Sequence, residues 1–256
     1  MALYKNSKCK IAIISFSSCE GCQFTILDKG RKFLELLPYL EIFEWKLGGQ
    51  IKKGNFYDFA FIEGTPSDDQ EIKFLEKIRK KSALLVALGN CAALGGIQEM
   101  KNWRGKEKIS HFVYKNPKGI SNPEIKPISN FVKVDFALPG CPINGEEFLS
   151  LIYDFLFGKI SRISLKPVCW ECQIKEFDCL LMHNTVCFGP WTIGGCGVIC
   201  PKNGESCLAC RGFLPEAGAK KILKTLSKII RVEEIFRQLE IFGLKDEFEE
   251  KLKKKN

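Results

Sequence analysis

Thirteen cysteines among 256 residues carry the chemistry of this chain, and twelve of them fall into groups. Cys19 and Cys22 form Cys19-Glu20-Gly21-Cys22, Cys91 follows Leu88-Gly89-Asn90, and Cys141 lies in Leu138-Pro139-Gly140-Cys141-Pro142. The other eight run Cys169-x2-Cys172-x6-Cys179-x7-Cys187-x8-Cys196-x3-Cys200-x6-Cys207-x2-Cys210. Thiolates collected in fours bind either an iron–sulfur cluster or a tetrahedral zinc ion. Cys9 has no such partner and enters an apolar run, so it is read as structural, a small buried hydrophobe.

Zinc also uses paired CxxC spacings, so spacing alone leaves the second set open between two clusters and two zinc sites. Three features favour iron. Cys200-Pro201 has the cysteine–proline step of bacterial ferredoxins, no histidine replaces a thiol at regular spacing, and the first four thiols span three predicted strands, unlike a zinc knuckle. His183, between Cys179 and Cys187, reads as a loop histidine, and His111 carries no argument. Trp170, Phe188 and Trp191 stand beside thiols and are expected to form a dry shell around them.

The elements that must position these thiols are legible as alternating apolar runs and helical periods over the first 158 residues. Strands are expected at 10–16, 41–47, 56–63, 83–88 and 131–138, with helices at 23–37, 67–80 and 145–157. Ser67 and Asp68 are set to cap the second of these helices. The fold class is α/β, a flavodoxin-like doubly wound parallel sheet. Cys19 and Cys22 follow the first strand, Cys91 the fourth and Cys141 the fifth, which places all four at the carboxyl edge, where such sheets bind ligands. Gly21, Gly89 and Gly140 are expected to let the backbone turn close to a cluster, and Pro142 to keep Cys141 extended.

The polar stretch 100–126 reads as a long surface excursion. Composition changes at 159. From 167 to 212 there are eight cysteines, six glycines and no sustained period, so this stretch is too irregular to build an apolar core of its own and must be stapled by something else. Two helices, 221–231 and 232–242 or beyond, and a charged tail complete a second domain, 159–256. It is expected to be an irregular iron–sulfur domain with C-terminal helices.

Several function classes are excluded at this level. No apolar run approaches a membrane span. The formal charge of +9 is dispersed, and three clusters bound by four thiolates each would bring it to about +3, which removes the case for nucleic acid. No nucleophile elbow, Walker loop, HExxH or GxGxxG is present, and two histidines offer little acid–base capacity. No signal peptide or twin-arginine pair is evident, so a reducing, cytoplasmic setting is expected. Abundant Lys and Glu suggest a hot-growing source.

Ser18-Cys19-Glu20-Gly21-Cys22, Gly89-Asn90-Cys91-Ala92 and Leu138-Pro139-Gly140-Cys141-Pro142 together resemble the proximal-cluster motifs of [NiFe]-hydrogenase small subunits. The tail ending in Cys207-Leu208-Ala209-Cys210-Arg211-Gly212 is similar to that of the cytoplasmic, cofactor-coupled branch, especially the delta subunit of sulfhydrogenases. The resemblance implies three [4Fe–4S] clusters. The proximal one would be held by Cys19, Cys22, Cys91 and Cys141. By order along the chain, the distal one would be held by Cys169, Cys172, Cys179 and Cys187, and the medial one by Cys196, Cys200, Cys207 and Cys210.

The resemblance also implies a large subunit carrying the nickel–iron site, and partner subunits of diaphorase type that bind flavin and NAD(P). The chain itself would be a non-catalytic electron-transfer subunit. Glu20 would make a salt bridge at that interface or assist protons. Alternative readings are a small subunit of a deazaflavin-reducing or heterodisulfide-reductase-coupled hydrogenase, or a zinc-stapled interaction module. A related quinone-reductase subunit characteristically has adjacent cysteines where this chain has Cys19-x2-Cys22, and it lacks the tail.

Overall fold

The computed structural model describes residues 8–117, 123–159, 163 and 165–253, with only the backbone for 106–108. The end of the charged tail and part of the 100–126 excursion lie outside the described residues. The chain forms two compact units, Met1–Arg162 and Ile163–Asn256.

The first unit is built on strands β1 (Cys9–Ser15), β2 (Leu40–Phe43), β3 (Tyr57–Glu63), β4 (Ser82–Leu88) and β5 (Phe136–Leu138). They form one sheet in the order β2-β1-β3-β4-β5 with every pair parallel. This is the flavodoxin-type order, whose switch point lies between β1 and β3.

The strands are apolar on both faces because both faces are covered. Ile11, Ile13, Phe59, Phe61, Val86 and Leu88 point to one side, where Ile26 and the run Phe148 to Phe155 close over them. Ala12, Ile14, Ala60, Ile62, Leu85 and Ala87 point to the other, under Leu75, Ile78 and Ile128. Period two along each strand thus feeds two cores. Phe59 and Phe155 stack with centroids 4.2 Å apart.

Helices α1 (Gly21–Leu27), α2 (Arg31–Leu34), α3 (Asp69–Lys81), α4 (Gly89–Leu94), α5 (Lys106–Val113) and α6 (Gly145–Leu156) complete the unit. Asp68 caps α3, its carboxylate accepting from the backbone N–H groups of Gln70 and Glu71, each at 2.8 Å. Ser67 adds the reciprocal half, its N–H donating to Glu71 at 2.7 Å.

Three expectations are corrected. The helix expected at 23–37 is broken at Gly30, whose φ of 51° ends α1 and restarts the chain as α2. The strand expected at 41–47 stops at Phe43, because Glu44 takes a left-handed turn and sends Trp45 back to pack on Gly48. The strand expected at 131–138 keeps only its last three residues, since Phe131 and Val132 continue the 3-10 turn at 128–130, both N–H groups donating to the Ile128 carbonyl at 3.0 and 3.1 Å. The surface excursion carries helical structure: a 3-10 helix, Ile97–Trp103, runs into it and α5 lies within it. The Asn102 side chain pins this stretch to Ile125 through bonds of 2.7 and 3.0 Å.

The second unit carries α7 (Val168–Ile174), α8 (Ile199–Lys202), α9 (Ala219–Leu226), α10 (Val232–Glu240) and α11 (Lys245–Lys253). Three helices therefore end the chain where two were expected. Gly243, at φ 71°, turns the chain so that Phe248 of α11 packs against Phe213 and Phe236.

Candidate functional site

The carboxyl ends of β1, β3, β4 and β5 meet at one cavity of about 80 Å³, and the first four thiols line it. Cys19 lies in the loop after β1, Cys22 is the second residue of α1, Cys91 sits on α4 directly after β4, and Cys141 follows β5. Glu63, the last residue of β3, lines the same cavity with Gly21, Asn90, Gly140 and Pro142. Cys19 and Cys141 are exposed, Cys91 is half-buried and Cys22 is buried, so the quartet opens to the surface on one side. All thirteen cysteines are outside disulfides.

Glycine makes room for the sulfurs. Gly89, at φ 84°, has no side chain where a Cβ would stand 2.4 Å from the Cys22 sulfur. At Gly96, φ 66°, a Cβ would come within 2.8 Å of the Cys91 sulfur. In the Cys19-x2-Cys22 turn the left-handed residue is Glu20, at φ 60°, and not Gly21. The Cys141-Pro142 bond is cis.

Electrostatics mark the quartet as a group. Burial first, then neighbouring cysteines and then Glu63 together raise the thiol pKa of Cys91 and of Cys141 to about 11. Burial pushes Cys22 up as well, with Glu63 adding to it. Thiols that resist ionisation alone become thiolates when a cation shares the cavity, and that exchange releases protons. Backbone groups of Ile143 and Ile97 hydrogen-bond the sulfurs of Cys22 and Cys91.

The carboxylate brought to these thiols is Glu63, and Glu20 does not line the cavity. Glu63 is buried, accepting from the Cys22 N–H at 3.0 Å and from the Gln23 amide at 2.7 Å. Sequence reasoning missed it. The available signal was an acidic residue closing an otherwise apolar strand at the ligand-binding edge.

The eight later thiols all belong to the second unit. Cys169 and Cys172 sit on α7, Cys179 precedes the 3-10 turn Leu180–His183, and Cys200 is on α8. Burial raises the Cys169 thiol to about 12, helped by Cys187, Cys179 and Cys172, and it raises Cys172 with help from Cys187 and Cys179. Cys187 and Cys179 thus lie near enough to act on both thiols of α7. Burial also raises Cys200, with Cys196 next in effect, and Cys207, which is coupled to Cys187 and Cys210. Cys187 adjoins both groups. A Cβ on Gly189 would stand 3.3 Å from the Cys169 sulfur and 3.4 Å from that of Cys187.

Glu171, between Cys169 and Cys172, ties the loop bearing Cys196 to α7. Its carboxylate accepts from the N–H of Gly195 and from that of Gly197 at 3.0 Å. This anchor was also unseen in the sequence. Of the aromatics expected to form a dry shell, Phe188 and Trp191 are buried, whereas Trp170 is exposed under the Lys166 ammonium, 3.5 Å from its ring. His183 bonds Asp178 at 2.9 Å on the exposed surface.

Among the described residues, no three Cys, His, Asp or Glu side chains close on a point as the ligands of a single ion do. The first quartet instead rings a cavity. In a tetrahedral zinc site all four sulfurs lie about 2.3 Å from one atom, whereas a cubane gives each thiolate its own iron and spaces the sulfurs more widely. The all-thiol donor set and the glycine clearances fit a cluster.

Comparison with known proteins agrees with this geometry. Residues 19–155 match the family model described as NADH ubiquinone oxidoreductase, 20 Kd subunit, which spans the first quartet and ends before Cys169. Over 236 residues the chain is 34% identical to Sulfhydrogenase 2 subunit delta of Pyrococcus furiosus, covering 91% of this chain and 99% of that one. It is 32% identical to a subunit of the vhu F420-non-reducing hydrogenase of Methanocaldococcus jannaschii, covering 79% and 81% respectively. Among solved structures, a chain of an NAD+-reducing [NiFe]-hydrogenase in the H2-reduced state matches with a TM-score of 0.56 and 26% identity, covering 61% of this chain and 96% of that one.

Proposed function

The chain belongs to the NADH ubiquinone oxidoreductase 20 Kd subunit family, as one of its hydrogenase small subunits, and from that membership we propose a relay of three [4Fe–4S] clusters. Cys19, Cys22, Cys91 and Cys141 hold the proximal cluster. Cys169, Cys172, Cys179 and Cys187 hold the distal one, and Cys196, Cys200, Cys207 and Cys210 the medial one. When bound, such clusters take up and release single electrons at potentials set by charge, hydrogen bonds and solvent exposure. The observation that carries the reading is the convergence of four thiols from three strand ends on one cavity.

The chain's own residues supply the rest. Gly89 and Gly96 leave space for sulfur, the backbone of Ile143 and Ile97 bonds it, and Phe188 and Trp191 exclude water from the later thiols. The exposed Cys19 and Cys141, with Phe24 at 52% exposure on α1, leave the proximal edge open to a protein partner. That partner is a large subunit holding the nickel–iron site. The further acceptor is a flavin and NAD(P) module of diaphorase type in the cytoplasm, in keeping with the activity of the NAD+-reducing relative. The second reading is a deazaflavin-reducing or heterodisulfide-coupled assembly, since the relatives include hydrogenases named F420-non-reducing and one named coenzyme F420 hydrogenase. No helix among the described residues is long and apolar enough to cross a membrane.

The test is the assembly carrying Cys141→Ser. Hydrogen-dependent reduction of an external dye should fall more than tenfold while proton–deuterium exchange on the large subunit continues. Equal loss of both activities, or loss of neither, would contradict the proximal assignment.

A further inference from the structure

One chain of buried hydrogen bonds runs from the loop after β2 to the proximal thiols. The Trp45 indole N–H donates to Gln23 Oε1 at 2.8 Å, Gln23 Nε2 donates to Glu63 Oε2 at 2.7 Å, and the Cys22 N–H donates to Glu63 Oε1 at 3.0 Å. Trp45, Gln23 and Glu63 are each at most 3% exposed, so water does not substitute for any of these bonds. An indole N–H can only donate. It fixes which end of the Gln23 amide is oxygen, and the amide must then present its NH2 to Glu63.

Trp45 is itself locked in place. The left-handed turn at Glu44 aims it inward, and its ring lies over Gly48, where a Cβ would stand 2.5 Å away. Phe33 meets the ring edge-on at 5.6 Å. A carboxylate held by two oriented donors cannot rotate away from the cavity it lines.

We infer that Gln23, fixed by Trp45, is a positioning residue that holds the Glu63 carboxylate against the proximal quartet and so keeps that cluster's reduction potential low. The inference rests on the reading of Cys19, Cys22, Cys91 and Cys141 as [4Fe–4S] ligands. A fixed anion at the cavity wall stabilises the oxidised cluster, since reduction adds a further negative charge. Glu63 lines the same cavity as Cys19, Cys22, Cys91 and Cys141 and is bonded to the backbone of Cys22 itself. No contact of Gln23 or Trp45 with a thiol is required, because both act through Glu63.

An EPR-monitored redox titration of the cluster-loaded assembly tests this with Gln23→Met, Trp45→Phe, Glu63→Gln and the Gln23→Met/Glu63→Gln double variant. Gln23→Met should shift the proximal midpoint upward and alter its signal while leaving the tail clusters unmoved. Trp45→Phe, which keeps an aromatic ring and removes the donor, should give a smaller shift of the same sign. In the Glu63→Gln background, Gln23→Met should add nothing. An unchanged proximal midpoint in both Gln23→Met and Trp45→Phe, or a Gln23→Met shift that persists in full without Glu63, would overturn the inference. A wild-type assembly with no cluster signal from this quartet would overturn the proximal reading and the inference together.

Discussion

Gly89 faces Cys22 so closely that a methyl group on its α-carbon would lie 2.4 Å from the cysteine sulfur. The glycine also sits at φ 84°, a conformation that costs an L-residue about 1–2 kcal/mol. Space for sulfur and backbone geometry therefore select the same residue at the turn from β4 into α4.

Gly89→Ala is accordingly expected to empty the proximal site and spare the tail. Iron analysis of the purified chain should show about four fewer atoms than wild type, with the EPR signals of the other two clusters retained. Full iron content in this variant would mean that the cavity has more freedom than the close approach of Gly89 to Cys22 allows.

The loop bearing Cys196 depends on a different anchor. Glu171 holds it through the amides of Gly195 and Gly197, hydrogen bonds to a charged group that contribute about 2 kcal/mol each. Glu171→Ala should loosen this loop and cost iron from the second set, leaving the proximal signal in place. Loss of the proximal signal instead would contradict the separation of the two sets.

How much of the fold and the site is legible in the sequence follows the range of the forces involved. The strand positions of Ile11, Phe61 and Val86 are legible because burial on both faces writes a continuous apolar run. The convergence of Cys19, Cys91 and Cys141 is legible because parallel strands share one carboxyl edge. The break at Gly30, the turn at Glu44 and the extra helix at Lys245 are not, since each depends on a local left-handed residue or on packing against distant rings such as Phe213. The same holds for Glu63, Gln23 and Trp45. Their bonds span 40, 41 and 22 residues, and no periodicity signals a bond of that kind.

Cys9 provides the internal control. It is buried at the first position of β1, outside the cavity lined by the four thiols. Cys9→Ser should lower stability by about 1–2 kcal/mol through its buried hydroxyl and leave the iron content and dye reduction of the assembly unchanged. A drop of about four irons would move Cys9 into a ligand set.

Acid stability should report on the edge of the sheet. Burial alone would raise the Asp135 pKa, but the Leu85 N–H at 2.9 Å and the Arg79 guanidinium lower it below the ordinary aspartate value. A group depressed in the folded state stabilises above its unfolded pKa, about 3.9, and that contribution disappears as pH falls through the folded value. Asp135→Asn should therefore lower stability by about 2 kcal/mol at neutral pH and by progressively less below about pH 4. A deficit that stays constant down to about pH 2 would contradict the assignment.

The central claim, that the thiols gather in fours around iron, is tested most directly by metal content per chain after anaerobic purification of the assembly, corrected for the partner subunits. About twelve irons and no zinc in this chain are predicted, as three cubanes require. About four irons with about two zincs would leave a single cluster beside two structural sites and contradict the relay.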